Sequence, residues 1–168
     1  MERPQSESQA QRVLDQWREA SPGLDLSGKA LSLRLHMVHT MTAERHAAAL
    51  RRLGLKCGAF GVLVTLRRIG EPYELAPKEL LAEVLFTSGG LSLLLDRLVA
   101  QGLVERRPNP SDRRGQLVAL TPAGVETAEL AMALQAESDL CLAESLSPED
   151  RAHLQRILTQ LLEAPGRV

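Results

Sequence analysis

The segment 103–120 constrains the fold of this chain more than any other, because it places strand-like runs on either side of turn-forming residues. Short apolar runs at 103–104 and 117–120 flank a tip of Pro, Asn, Ser, Asp and Gly. This pattern predicts a β-hairpin. The segment carries four arginines: Arg106, Arg107, Arg113 and Arg114. We refer to residues 103–120 as the basic hairpin.

Two helices are predicted just before the basic hairpin. The first begins at Pro77 and runs to about Leu85; proline is favoured at the first position of a helix. The second covers residues 88–100 and follows a short turn. Helix, turn, helix and hairpin, in this order, is the arrangement of a winged helix-turn-helix. Arginine suits DNA phosphates and narrow minor grooves because its planar guanidinium presents several donors.

The composition favours one helical domain in the cytoplasm. The chain has 168 residues, of which 44% are hydrophobic and only 2% aromatic, so its core must be built from Leu, Ala and Val. We find neither an apolar run of membrane-spanning length nor an apolar targeting segment at the N-terminus. Cys57 and Cys141 are too few for a disulfide or metal framework, and Cys141 is expected to be a small buried residue. We expect no membrane contact and no cofactor.

Charge is distributed unevenly along the chain, although the formal net charge is only −1. Residues 97–116 contain five arginines and two acidic residues, whereas the part from residue 121 onward contains eight acidic residues and three arginines. A locally basic segment on a more acidic body is compatible with sequence-specific DNA binding.

The terminal helices carry more apolar surface than a small winged domain can cover. Helices are expected at 9–20 and 27–53, with Ser27 as the cap of the second, and again after Thr121 and Ser147. The simplest partner for their apolar faces is a second copy of the chain, so we predict a homodimer, with a monomeric helical bundle as the alternative. The predicted fold is mainly α with a small β-wing. It is one domain, 1–168, with dimerisation helices at 8–53 and 122–163 and a DNA-binding lobe at 58–121.

Several motifs resemble the MarR family of transcriptional regulators. They are LVAQGLVERRPNPSDRRG at 98–115 and LTPAG at 120–124, and the most specific element is the Asp112-x-Arg114 pair. The resemblance is dense over about 58–124. TSGGL at 87–91 and the leading helix with Trp17 further resemble the branch of the family that includes urate-responsive regulators.

The resemblance implies a dimeric repressor that binds a pseudo-palindromic operator in double-stranded DNA and is released by a small-molecule ligand. It implies that Arg114 reaches the minor groove and that Asp112 orients the hairpin. Arg106, Arg107 and Arg113 would contact phosphates or brace the hairpin, and Ser88 and Ser92 would face the major groove. The alternative for each arginine is a solvated charge on a strand.

The helix at 88–100 departs from the family pattern. Leu91, Leu95 and Leu98 share one face and should be core, which leaves Ser92, Leu93, Asp96 and Arg97 pointing elsewhere. Relatives commonly carry Asn, Arg or Gln near Leu93 and Leu94, and such side chains make bidentate contacts with bases. Leucine can only contact a thymine methyl group or pack away from water, because its side chain forms no hydrogen bonds. An alternative function is therefore a regulator-like dimer with weak or lost DNA readout, which acts as a ligand- or protein-interaction module.

An effector site is predicted around Trp17, Arg34, His36 and His39, with a core role as the alternative for Trp17. Urate-type relatives often carry an acidic residue at the position of Gly61 and a basic one near Leu94, and this chain has neither, so urate itself is not expected. His36 and His39 lie one turn apart, but no Cys, Asp or Glu cluster accompanies them, so no metal site is predicted.

Catalysis is not expected from this sequence. It shows no Ser, His and Asp in the order of a hydrolytic triad, no paired carboxylates in an evident cleft and no phosphate-binding glycine loop. Cys57 follows Lys56 near a predicted helix start, which can lower the pKa of a thiol; the alternative is an ordinary thiol.

Overall fold

The computed structural model describes residues 5–84 and 88–164, and within them the chain forms seven helices and three strands. In chain order these are α1 (Gln5–Ala20), α2 (Ser27–Arg51), α3 (Cys57–Arg68), β1 (Glu74–Leu75), α4 (Pro77–Glu83), α5 (Ser88–Ala100), β2 (Val104–Asn109), β3 (Asp112–Leu120), α6 (Pro122–Glu144) and α7 (Pro148–Glu163). The predicted class, mainly α with a small β-wing, is confirmed.

The chain divides into two compact units, one ending at Arg45 and the other beginning at His46. The division falls inside α2 and not at the predicted edge of a DNA-binding lobe. The arrangement of dimerisation helices and lobe stays a prediction. None of the described helices is both long and apolar enough to cross a membrane.

The first unit contains α1 and most of α2. Ala10 and Leu14 on α1 are buried, as expected from their helical spacing. The cap of α2 differs from the prediction: Ser27 is the first helical residue, and its N–H donates to Oδ1 of Asp25 at 2.9 Å. This bond lowers the pKa of Asp25 below its usual value. Aspartate accepts well at a helix start because it also complements the helix dipole.

The core of the second unit lies where α3, α4, α5, α6 and the sheet meet. Its largest fully buried side chains include Leu63, Leu66, Leu80, Leu95 and Leu98. They are aliphatic, which agrees with the low aromatic content. This core holds α5 and the sheet together, and so it sets where the outward side chains of both elements lie.

The sheet has three antiparallel strands in the order β1-β3-β2. β1 was not predicted, because it is only two residues long and its pairing partner, Ala119, lies far along the chain. The hairpin strands are also longer than the predicted apolar runs, and they leave only two residues between them. The part of the hairpin near its tip is exposed, at 105–108 and 110–112, and so needs no apolar alternation; its polar residues therefore pair as strand although they resemble turn formers.

Two predicted helix starts are confirmed in detail. Oγ1 of Thr121 accepts from the N–H of Gly124 at 3.0 Å, and Oγ of Ser147 accepts from the N–H of Asp150 at 3.1 Å. Each cap is followed by proline at the first helical position. The prediction for Cys141 is wrong: this thiol is exposed. It lies on α6, where the neighbouring Leu140 is also exposed in the single chain.

Candidate nucleic-acid interface

Helix α5 has one face in the core and one in solvent. Leu91, Leu95 and Leu98 are buried, as predicted. The side chains predicted to point elsewhere are all exposed: Ser92, Leu93, Asp96 and Arg97. The helix therefore presents a mixed polar and apolar face outward.

The adjacent leucines of α5 differ in burial. Leu93 is 57% exposed, whereas Leu94 is half-buried and packs against the core. Leu94 therefore belongs to the packed side of the helix. Leu93 is the exposed leucine on the face that is predicted to meet DNA.

Arg106 connects the basic hairpin to α5. Its Nη2 lies 2.6 Å from Oδ1 of Asp96. On β2 it pairs in register with the buried Val118, so it lies on the face of the sheet that continues into the core. The ion pair is partly exposed and so contributes little to stability; it joins a side chain of β2 to a side chain of α5.

A small hollow of about 310 Å³ lies beside this ion pair. Lys78 near the start of α4, Ser92 on α5 and Arg106 on β2 all contribute to its lining. Two elements of the helix-turn-helix and the hairpin therefore meet at one place, with two cationic side chains around it. Lys78 was not among the predicted site residues, because no local pattern distinguishes it from an ordinary surface lysine.

Arg107 faces the opposite side of the hairpin from Arg106. Its Nη2 lies 2.6 Å from Oε1 of Glu105, and its Nη1 lies 3.1 Å from Oε2 of Glu74 on β1. Its hydrogen bond to Glu105, and to a smaller extent its hydrogen bond to Glu74, raise the pKa of Arg107 above its usual value. Consecutive arginines thus pair with acidic residues on two different neighbours of β2. Their predicted roles, phosphate contact or bracing of the hairpin, stay predictions.

The tip of the basic hairpin is organised by local hydrogen bonds. The N–H of Ser111 donates to Oδ1 of Asn109 at 2.9 Å, the geometry of an Asx turn. Asp112 folds back over Gly115: a Cβ on that glycine would lie 3.0 Å from Oδ2 of Asp112. The backbone of Arg113 and Arg114 belongs to β3, but their side chains lie outside the described part of the structure.

The start of α5 is described only in its backbone. Ser88 is the first residue of the helix, and its side chain lies outside the described residues, as does the whole of Thr87. The predicted contact of Ser88 with the major groove therefore stays a prediction.

The first unit contains a separate open hollow of about 770 Å³ between α1 and α2. Arg34 and His36 line it, together with apolar side chains such as Val13 and Met37. Trp17 and His39 are not among its lining residues, and Trp17 is 45% exposed, so it is not a core residue of the single chain. Among the four residues predicted for the effector site, Arg34 and His36 line the same hollow.

Metal-ligating side chains are not clustered in the described residues, where no group of three His, Cys, Asp or Glu is placed to hold an ion. Cys57 begins α3 and is exposed.

Known proteins similar to this chain share both its sequence and its fold. A sequence profile described as MarR family matches residues 44–115. The multiple antibiotic resistance protein MarR of Escherichia coli is 34% identical over 130 residues, which cover 76% of this chain and 88% of that protein. The chain belongs to the MarR family. This family relationship supports a role in transcription regulation and gives no support to an enzyme.

Two further comparisons extend the MarR likeness over most of the chain. The HTH-type transcriptional regulator PecS of Dickeya dadantii is 27% identical over 146 residues, 87% of this chain and 88% of that protein. The crystal structure of a mutant Escherichia coli MarR complexed with operator DNA has a TM-score of 0.69 and 31% identity, and the match covers 87% of this chain and 97% of that one. The finer placement near urate-responsive members stays a prediction.

Proposed function

We propose that this MarR-family chain is a cytoplasmic, sequence-specific DNA-binding repressor that acts as a homodimer. One observation carries the proposal: the outward face of α5 is joined to the basic hairpin by the Arg106–Asp96 ion pair. A helix that reads the major groove and a basic hairpin that reaches the backbone must be held in one geometry to act together. The relative with a structure in complex with operator DNA supports the same conclusion.

In this proposal α5 enters the major groove and the basic hairpin follows the backbone into the adjacent minor groove. The groove-facing side chains are Ser88, Ser92, Leu93 and Arg97. The tip arginines, Arg113 and Arg114, supply phosphate and minor-groove contacts, and Asp112 orients them. Arg106 and Arg107 mainly brace the hairpin through their acidic partners, and the exposed parts of their guanidinium groups face phosphates.

A second copy of the chain is the proposed partner of the terminal helices. Among its described residues α7 buries none, and Leu158, Leu161 and Leu162 stand exposed along it. Leu35 and Val38 on α2 are exposed as well. Contiguous apolar helix faces of this kind mark an interaction surface. A twofold dimer also places two α5 helices for the half-sites of a pseudo-palindrome, about one DNA turn apart.

Release by a small molecule is proposed to act through a population shift. A ligand that prefers a dimer with wrongly spaced α5 helices lowers DNA affinity by its differential affinity for the two conformations. We place the effector site at the hollow of the first unit, where Arg34 and His36 meet apolar side chains. Trp17 and His39 do not line this hollow, and their contribution to effector binding stays a prediction.

The experiment that tests this function is fluorescence-anisotropy binding to the upstream intergenic DNA of its own gene and to scrambled DNA, across salt. Preference for the upstream DNA with a steep negative log–log salt slope is expected, because phosphate contacts release counterions. If the protein binds both DNAs weakly and equally, the next experiment is a selection from random DNA. If that selection enriches no sequence, the protein is not a sequence-specific regulator.

A second candidate function is a ligand- or protein-interaction module with the architecture of a regulator. The exposed Leu93 favours it, because this side chain cannot make bidentate contacts with bases. Such a module shows no salt-dependent DNA affinity, so the same titration separates the two functions.

A further inference from the structure

Helix α5 exposes the large apolar side chain of Leu93 on its outward face. Leu93 is 57% exposed, while Leu91 and Leu95 on either side of it are almost completely buried. Its position four residues before the exposed Arg97 places both side chains on one stripe of the helix. Leu93 therefore stabilises the fold little and is available for contact with another molecule.

The residues around Leu93 on α5 offer few side chains that could form bidentate hydrogen bonds with an adenine. The sequence of α5, SGGLSLLLDRLVA, contains neither Asn nor Gln, the residues that pair with adenine. The carboxylate of Asp96 is already held by Arg106 at 2.6 Å. An apolar contact is consequently the readout that the centre of the stripe offers.

We infer that Leu93 recognises the C5-methyl group of a 5-methylpyrimidine in the major groove, a specificity-determining contact that rests on the proposed function. The thymine methyl is the apolar feature of base-pair edges in that groove. When leucine covers it, apolar surface of both partners leaves water. Burial of one methyl-sized group corresponds to about fourfold in affinity. 5-Methylcytosine carries the same methyl group and is the second source of this chemistry.

The test begins with an operator that the full-length wild-type protein selects from random DNA. Each thymine is then replaced singly by deoxyuridine, which keeps every hydrogen-bonding group of the base and removes only the methyl. We expect about a fourfold loss of affinity at one position in each half-site, with little change elsewhere. At that position, 5-methylcytosine should bind about fourfold more tightly than cytosine if the methyl is read in both bases; equal binding of the two restricts the recognition to thymine.

A variant identifies the residue that senses the methyl. Leu93→Ala should bind the thymine and uracil operators equally at this position. Val99→Ala is the matched control, because Val99 is also exposed on α5 but lies six residues on, outside the stripe of Leu93. It should keep the fourfold difference. Thermal unfolding followed by circular dichroism checks that both variants fold, as the exposure of the two residues leads us to expect.

The outcomes separate the two levels of the proposal. A sequence-specific operator that tolerates uracil at every position overturns the methyl recognition and leaves the regulator function standing. The same holds if Leu93→Ala retains the thymine preference. If the wild-type protein selects no operator, the proposed function itself is overturned. The proposed contact of Leu93 with a methyl group is then overturned as well.

Discussion

Gly124 packs so closely on Leu103 that a Cβ at the glycine would lie 1.9 Å from the carbonyl oxygen of Leu103. The same turn is fastened by Thr121, whose Oγ1 donates to the carbonyl oxygen of Gly102 at 2.7 Å and accepts from the N–H of Gly124. The start of α6 is thereby fixed against the residue that leads into β2. Backbone cannot move aside as a flexible side chain can, so this position requires glycine.

Gly124→Ala is expected to lower the free energy of unfolding by about 3 kcal/mol, at the upper end of overpacking effects. The reason is the clash of the new methyl with Leu103. Urea denaturation followed by circular dichroism measures the change. Gly28→Ala is the matched control, since a Cβ at this helical glycine meets nothing within 4 Å; it should stabilise α2 by up to about 1 kcal/mol. Equal stabilities of the two variants would refute the close packing.

The ion pair between Arg106 and Asp96 should matter more for DNA affinity than for stability. Exposed pairs contribute about 0.2–1 kcal/mol to folding, so Asp96→Ala should unfold nearly as the wild type does. We expect the variant to bind its operator more weakly, because the hairpin loses its tie to α5. If Asp96 only repelled phosphates, its removal would tighten binding. Glu129→Ala, which breaks a comparable pair with Arg67, is the control and should bind normally.

Arg114→Ala should weaken operator binding by about 1 kcal/mol or more for each subunit and reduce the salt slope by about one for each half-site. The proposed cause is the loss of a cationic contact at the tip of the basic hairpin. Anisotropy titrations at several salt concentrations give both quantities. Arg156→Ala removes the same charge from α7 and should leave them unchanged. Wild-type affinity of Arg114→Ala at physiological salt would show that the tip does not contact DNA.

Leu161→Glu should convert the proposed dimer into a folded monomer. The leucine is exposed in the single chain, so a charge there costs the monomer little, whereas a buried unpaired charge at an interface costs several kcal/mol. Sedimentation velocity at micromolar protein measures the mass. Ala152→Glu adds the same charge to the opposite, exposed face of α7 and should stay dimeric. A wild-type protein that sediments as a monomer would instead support the monomeric bundle.

Local features of this chain were predictable because their causes lie within a few residues. The Thr121 and Ser147 caps involve acceptor and donor three positions apart, and the inward leucines of α5 follow helical periodicity. The order of two helices and a basic hairpin indicated the winged arrangement, and the family motifs agreed with it. These signals were sufficient for the fold class and for most of the predicted helix starts.

Features that depend on distant pairing were not predictable. β1 exists because Glu74 and Leu75 meet β3 some forty residues on, and the tie of Arg107 to Glu74 follows from that pairing. Asp96 and Arg106 are only ten residues apart, yet nothing in their sequence spacing indicates an ion pair between a helix and a strand. The expected burial of Cys141 was wrong because residue type alone does not determine which side of α6 faces outward.

The different burial of Leu93 and Leu94 has an evolutionary consequence. A substitution at Leu94 disturbs the core, whereas one at Leu93 alters an outward side chain and leaves the packing intact. Mutations that retune the outward face of α5 therefore need not pass through unstable intermediates. Under the proposed contact of Leu93 with DNA, proteins with different target preferences can arise from this chain by single substitutions at one position, and the fold itself places little constraint on that change.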